Sequence, residues 1–192
     1  MLKAPPVTTT NTIRRPLRDW DDLSNLKTRV IRKLLNVLKE RCAIARDATD
    51  DSLTTLEIST YVFNSDHDPF EPAAGFPKYM KALNKAKLAG RALFPPQTAY
   101  RDAITALNML VTDLVDLLPK NHPEKKRISS ELNEGRSKAR QDEEMVQKTL
   151  HPGNTSLKPM TYVATARMRF VNWAKEEEKL KAWAEECMDA LK

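Results

Sequence analysis

PMTYVATARMRFVNWAKEEEKLKAWAEECMDALK, residues 159–192, decides the fold. Val163, Ala166, Phe170, Trp173, Glu177, Leu180, Ala184, Cys187 and Leu191 recur along it at alternating steps of three and four. That is a 3.5-residue period sustained to the C-terminus, the pattern of helices packed side by side. A half-buried strand would alternate at every second residue instead. The stretch predicts one long helix that starts near Pro159 and lays a single seam against other helices.

Working outward, His151-Pro152-Gly153-Asn154 is a strong break. Before it, a helix is expected from about Pro123 to Leu150. Its stripe is thin: Ile128, Leu132, Ala139 and Val146, interrupted by Gly135 and Asp142. It should face solvent more than any other helix. Pro119 closes a helix expected from about Gln97 to Leu118. There Tyr100, Ile104, Leu107, Val111, Leu114, Val115 and Leu118 line one face, widened by Ala103, Leu110 and Leu117. A face that wide belongs in the centre of the molecule. Pro95-Pro96 predicts the end of a further helix, from about Pro77 to Phe94.

Toward the N-terminus, Asn64 to Pro77 reads as a loop with three prolines and Gly75. Asp50 to Phe63 is open between a short helix and an extended piece, because its Thr and β-branched residues lower helix propensity. A first helix is expected from about Asp22 to Arg46, capped by Asp21 or Asp22. Leu23, Leu26, Val30, Leu34, Val37 and Leu38 form its expected apolar stripe. Residues 1–18 read as an extended, Pro/Thr-rich basic tail, and 19–192 as a single domain.

Composition agrees. The chain has 192 residues (21.9 kDa), with 41% hydrophobic and 30% charged residues and a mean hydropathy of −0.57. That suffices for one core and is tight for two. Only 4 glycines and 6% aromatics argue against an all-β fold. No apolar run is long enough to span a bilayer. The expected architecture is all-α: an up-and-down bundle of four to five helices with an extended N-terminal tail.

Signs of catalysis are absent. His67, His122 and His151 each neighbour a turn residue, and none lies on a periodic apolar face. Asn64, Asp66, Asp68 and Glu71 imitate the opening of a calcium loop, but Pro69 and Gly75 occupy the positions that need Gly and a bidentate acid. There is no Gly-rich phosphate loop, nucleophile elbow or zinc-protease motif. Glu176, Glu177, Glu178, Glu185 and Glu186 lie among Lys175, Lys179 and Lys181, and read as solvated i,i+4 pairs. The expectation is a protein that is not an enzyme, with no cofactor and no metal. Cys42 and Cys187 read as small buried hydrophobes. Antiparallel first and last helices would keep the sulfurs apart, a fifth helix would bring their ends together, and free thiols are the preferred reading.

The informative anomaly is charge. Net charge is +6 and the pI is near 9.3. No acid precedes Asp19, whereas Lys3, Arg14, Arg15 and Arg18 do. The Pro77–Phe94 segment carries Lys78, Lys81, Lys85, Lys87 and Arg91 and no acid. The first helix adds Lys27, Arg29, Arg32, Lys33, Lys39 and Arg41 against Glu40. Arg14, Arg15, Arg18, Lys78, Lys81, Lys85 and Arg91 are the candidate partner-binding residues. The partner expected is an acidic protein surface within a larger complex. The alternative is a ribonucleoprotein subunit contacting RNA phosphates. Only Tyr79 and Phe94 could stack on bases there, so base-specific readout is not expected.

Tyr100-Arg101-Asp102-Ala103-Ile104-Thr105-Ala106-Leu107-Asn108, followed by a Pro turn and Glu124-Lys125-Lys126-Arg127-Ile128, resembles the third and fourth helices of a lumenal photosystem II assembly-factor family. The basic, Pro-led character is also similar to the extrinsic four-helix subunits of the oxygen-evolving complex. The resemblance implies a non-enzymatic accessory subunit docked on the lumenal side of a membrane-embedded complex, in the chloroplast thylakoid lumen. Without it, an organellar or cytoplasmic ribonucleoprotein fits the same charge.

Overall fold

The structure, a computed structural model, describes residues 25–65, 76–149 and 159–191. Four helices make it up: α1 (Asn25–Ser65), α2 (Phe76–Leu117), α3 (Pro123–Thr149) and α4 (Pro159–Ala190). There is no strand among the described residues. The tail lies outside them, as does Asp66 to Glu71 of the calcium-like motif.

α1 buries Ile31, Leu35, Leu38, Cys42, Ala45, Thr49, Leu53, Leu56 and Thr60, again at steps of three and four. α2 packs along it antiparallel, and Gly90 comes level with Leu56: a Cβ on the glycine would lie 3.9 Å from Leu56 Cδ1. α4 fits along both. Ion pairs join Lys39 to Glu185, Arg46 to Glu177, and Glu57 to Arg167, so α4 runs antiparallel to α1. It runs parallel to α2, where the Tyr100 ring lies 5.9 Å from both Phe170 and Trp173. α3 closes the up-down-up-down circuit from outside. Arg136 donates to Asn108 Oδ1 (2.9 Å) and Thr112 Oγ1 (2.6 Å), and Arg127 pairs with Glu186.

The α2–α3 turn is short and fully capped. His122 Nδ1 accepts the Glu124 amide at 3.3 Å, as an N-cap side chain does. Lys125 Nζ donates to the carbonyls of Asp116 (2.9 Å) and Leu118 (2.7 Å), neutralising the C-terminal end of α2.

Three expectations need correction. The ambiguous Asp50–Phe63 segment continues α1 without a break. Leu53 and Leu56 are buried against Ala89, Leu93, Val163 and Ala166. Burying each leucine is worth roughly 1.5–3 kcal/mol. The unfavourable propensity of the threonines is a few tenths each. Thr49 and Thr55 also satisfy their hydroxyls by donating to the carbonyls of Ala45 (2.7 Å) and Asp51 (2.9 Å).

Second, Pro95-Pro96 does not end a helix: α2 runs through it, and the described residues form four helices, the lower end of the expected four to five. Proline fixes φ near the helical value, but each ring also crowds the carbonyl four residues back, so the pair is costly to the helix locally. What is lost is two N–H bonds, to the carbonyls of Arg91 and Ala92. Both residues are exposed, so water can take those acceptors. On either side of the pair Leu93 and Tyr100 are fully buried, and these anchors hold the helix on its course.

Third, the expected stripe of α1 is rotated. Val30 and Val37 are exposed, while Ile31 and Leu35 are buried. Leu38 of the expected stripe is buried as expected, and Leu34 is half-buried. The side chains of Leu23 and Leu26 lie outside the described residues.

Other structural expectations are met. The 100–118 part of α2 is the most deeply buried, and among the described side chains of α3 Ile128 and Leu132 are the ones that join the core. Cys42 and Cys187 are free and buried. Arg46 is level with Glu177, which puts Cys42 level with Lys181, six residues or about 9 Å along the axis from Cys187.

Candidate interaction surface

The first half of α2 presents an acid-free basic face. Between Pro72 and Arg101 the sequence contains no Asp or Glu. Lys81, Lys85, Lys87 and Arg91 are all exposed, and none is paired with an acid among the described residues. Lys81 and Lys85 stack one turn apart, as do Lys87 and Arg91. Lys78 belongs to the same helix, but its side chain lies outside the described residues. So do Arg14, Arg15 and Arg18. Of the seven candidate residues, the structure thus brings Lys81, Lys85 and Arg91 onto one element.

Sequence reasoning missed the apolar part of this face. Leu88 is 63% exposed and Phe94 71% exposed, each within one turn of a lysine or arginine. Single exposed apolar residues are ordinary. Two large ones interleaved with four cations on one helix make a mixed surface, half charge and half contact area. Leu88 and Phe94 are six residues apart and fall on no three-and-four stripe, so periodicity does not pick them out.

A second correction concerns the acids of α4. Glu177 is not solvated: it is fully buried. Tyr100 donates to its Oε2 at 2.6 Å, Arg46 approaches Oε1 at 3.5 Å, and Lys181 pairs with the same oxygen. Burial, and then the bond to Glu177, push the Tyr100 hydroxyl far above its usual pKa, so it stays a donor. Burial pulls Lys181 down, but its bonds to Glu177 and Glu178 outweigh this and raise it. With both Tyr100 and Glu177 sealed from solvent, the cluster has no face for a substrate. It is a polar node inside an apolar core.

A cleft of about 630 Å³ opens between α2, α3 and α4. Ile104, Met109 and Trp173 form its apolar part, and Arg101, Arg136 and Glu176 its polar part. Burial raises the Glu176 carboxyl above its ordinary value. Among the described residues no group of three His, Cys, Asp or Glu could hold a metal ion, and no helix is long and apolar enough to cross a membrane.

No protein-family model matches the chain, and no curated protein or solved structure matches it.

Proposed function

We propose that this protein is a non-catalytic accessory or assembly subunit that docks on a larger complex through the basic face of α2. The observation that carries the reading is the run of exposed cations Lys81, Lys85, Lys87 and Arg91 on a helix without acids. A field of one sign steers a partner of the opposite sign and fixes its orientation. Leu88 and Phe94 favour an acidic protein surface over bare phosphates, since a phosphate backbone offers them nothing to bury against. The tail residues Arg14, Arg15 and Arg18 add to the same attraction. The partner is specified by its chemistry, and the photosystem II complex that the resemblance names is one place to look for it.

The test is the triple reversal Lys81→Glu, Lys85→Glu, Arg91→Glu, followed by co-purification from the native source. Partner recovery should be lost, while the melting temperature moves by no more than about 6 °C, because each of three exposed surface charges contributes within about 0.5 kcal/mol. Recovery that survives the reversal overturns the reading. Capture of RNA instead of protein, with affinity falling steeply as salt rises, would assign the face to phosphates.

A further inference from the structure

The cleft of about 630 Å³ between α2, α3 and α4 has the size of a small-molecule site, for which roughly 300–1,000 Å³ is usual. Its apolar wall is held in place. Tyr100 packs nearly edge-on against the Trp173 ring (82°), and the Arg169 guanidinium lies 5.6 Å from the ring centroid. Ile104 is buried beneath the cleft, while Met109 is 44% exposed along it. Indole, isoleucine and thioether together offer a flat apolar body a surface to cover.

Two polar groups stand on this wall without a charged partner. Arg136 donates from one terminal nitrogen to Asn108 Oδ1 (2.9 Å) and Thr112 Oγ1 (2.6 Å). Those bonds fix the guanidinium, and no acid pairs with it among the described residues. Its Nε and its other terminal nitrogen are left as donors, the fork that fits a carboxylate. Glu176 makes no hydrogen bond or ion pair among the described residues. Burial raises its carboxyl, with no cation offsetting the rise. Arg136 and Glu176 are therefore two separate polar points on one apolar wall. A half-buried carboxyl without a donor is costly, and a ligand that brings one relieves that cost.

The remaining charges decide the sign of the ligand. Arg140 and Glu144 answer each other one turn apart at 3.5 Å. Over the whole lining, three arginines (Arg101, Arg136 and Arg140) stand against two glutamates. The excess is positive, so an acid is drawn in and an amine repelled. The donor that meets Glu176 is then a neutral hydroxyl.

We propose that this cleft binds a small aromatic hydroxy acid. Its acidic group pairs with the Arg136 fork, its ring lies against Trp173, Ile104 and Met109, and its hydroxyl donates to Glu176. The site uses the second half of α2. It is separate from the basic face around Lys81 to Arg91 and does not depend on that face's role.

Calorimetric titration of the full chain with para-coumarate tests it, beside cinnamate, which lacks the hydroxyl, and para-coumaramide, which lacks the charge. Saturable one-to-one binding of para-coumarate is expected, with each of the other two about tenfold weaker or more. Arg136→Gln should erase the difference between acid and amide. Glu176→Ala should erase the difference between para-coumarate and cinnamate. Met109→Glu, at an exposed position, should weaken para-coumarate about tenfold. It leaves the bonds of Arg136 in place, so it decides the case if Arg136→Gln loosens α3. Unchanged helicity by circular dichroism certifies that each variant folds. No binding of para-coumarate at millimolar concentration overturns the proposal. So do equal affinities for acid and amide, or differences that survive both substitutions. Binding lost on reversing Lys81, Lys85 and Arg91 would place the acid on the basic face instead, and so overturn this proposal too.

Discussion

Glu177 holds its charge where no solvent reaches, and it does so because three other side chains come to it. A carboxylate taken into a core unpaired costs several kcal/mol. Here Tyr100 from α2, Arg46 from α1 and Lys181 from its own helix supply donors. The thiols nearby have no such help. Burial pushes Cys42 from 9.0 up to about 11, with the nearby negative charge of Glu177 adding to it, and burial does the same to Cys187. Both are therefore inert as nucleophiles at neutral pH. The sign of the linkage follows. In the unfolded chain the thiols ionise near pH 9, in the folded chain near 11. Their contribution is complete below pH 9 and is lost as pH rises through 11, to the extent of about 2–3 kcal/mol per thiol. Urea unfolding at pH 8 and pH 10.5 should show a larger loss of stability in the native chain than in the Cys42→Ala, Cys187→Ala double variant. Equal losses would mean that solvent reaches the sulfurs.

At the scale of the element, the two prolines of α2 are the instructive case. Each removes a helical hydrogen bond, and interior proline is about 3 kcal/mol worse than alanine. Proline also restricts the unfolded chain, which returns up to about 1 kcal/mol. Replacing Pro95 and Pro96 together by alanine should raise stability by about 1–4 kcal/mol in chemical unfolding. A loss would show that the locked φ matters more than the missing bonds. The rule that proline stops a helix is local, and Leu93 and Tyr100, buried on either side, are tertiary facts that the rule does not contain. The same limit explains α1. Leu23, Leu26, Val30, Leu34, Val37 and Leu38 make a valid helical stripe, and so do Ile31, Leu35 and Cys42 together with Leu38, which both share. Two stripes a third of a turn apart are equally periodic, and only the shape of α2 and α4 chooses between them. The seam of α4 was legible because no rival stripe competes with it. Glu177 could be placed on that seam, but nothing in the sequence announces the Tyr100 that makes its burial tolerable.

For the molecule as a whole, stability is unevenly distributed. α1, α2 and α4 share the core, and among the described side chains of α3 Ile128 and Leu132 join it. Beyond Gly135 its described side chains Arg136, Arg140, Gln141 and Glu144 are exposed. Amide hydrogen exchange should be faster in residues 136–144 than in residues 100–118 by orders of magnitude, because every described side chain there is exposed. Comparable protection would mean that α3 is held by something outside the bundle. The thin stripe of this helix was visible in the sequence, and so was the excess of positive charge. Where that charge collects, and that Leu88 and Phe94 stand among it, depends on which side of α2 the other helices cover.

The buried acid has one more effect, and it concerns sliding. Heptad seams are forgiving: shifted by seven residues, about 10.5 Å, leucines still meet leucines. Glu177 makes that shift visible to the free energy. Moved one way it would stand opposite Leu53, and moved either way it would leave Tyr100 and Arg46 behind. The carboxylate is a zero mark on an otherwise repeating scale, and it lets a four-helix chain find a single alignment among several that are nearly as greasy.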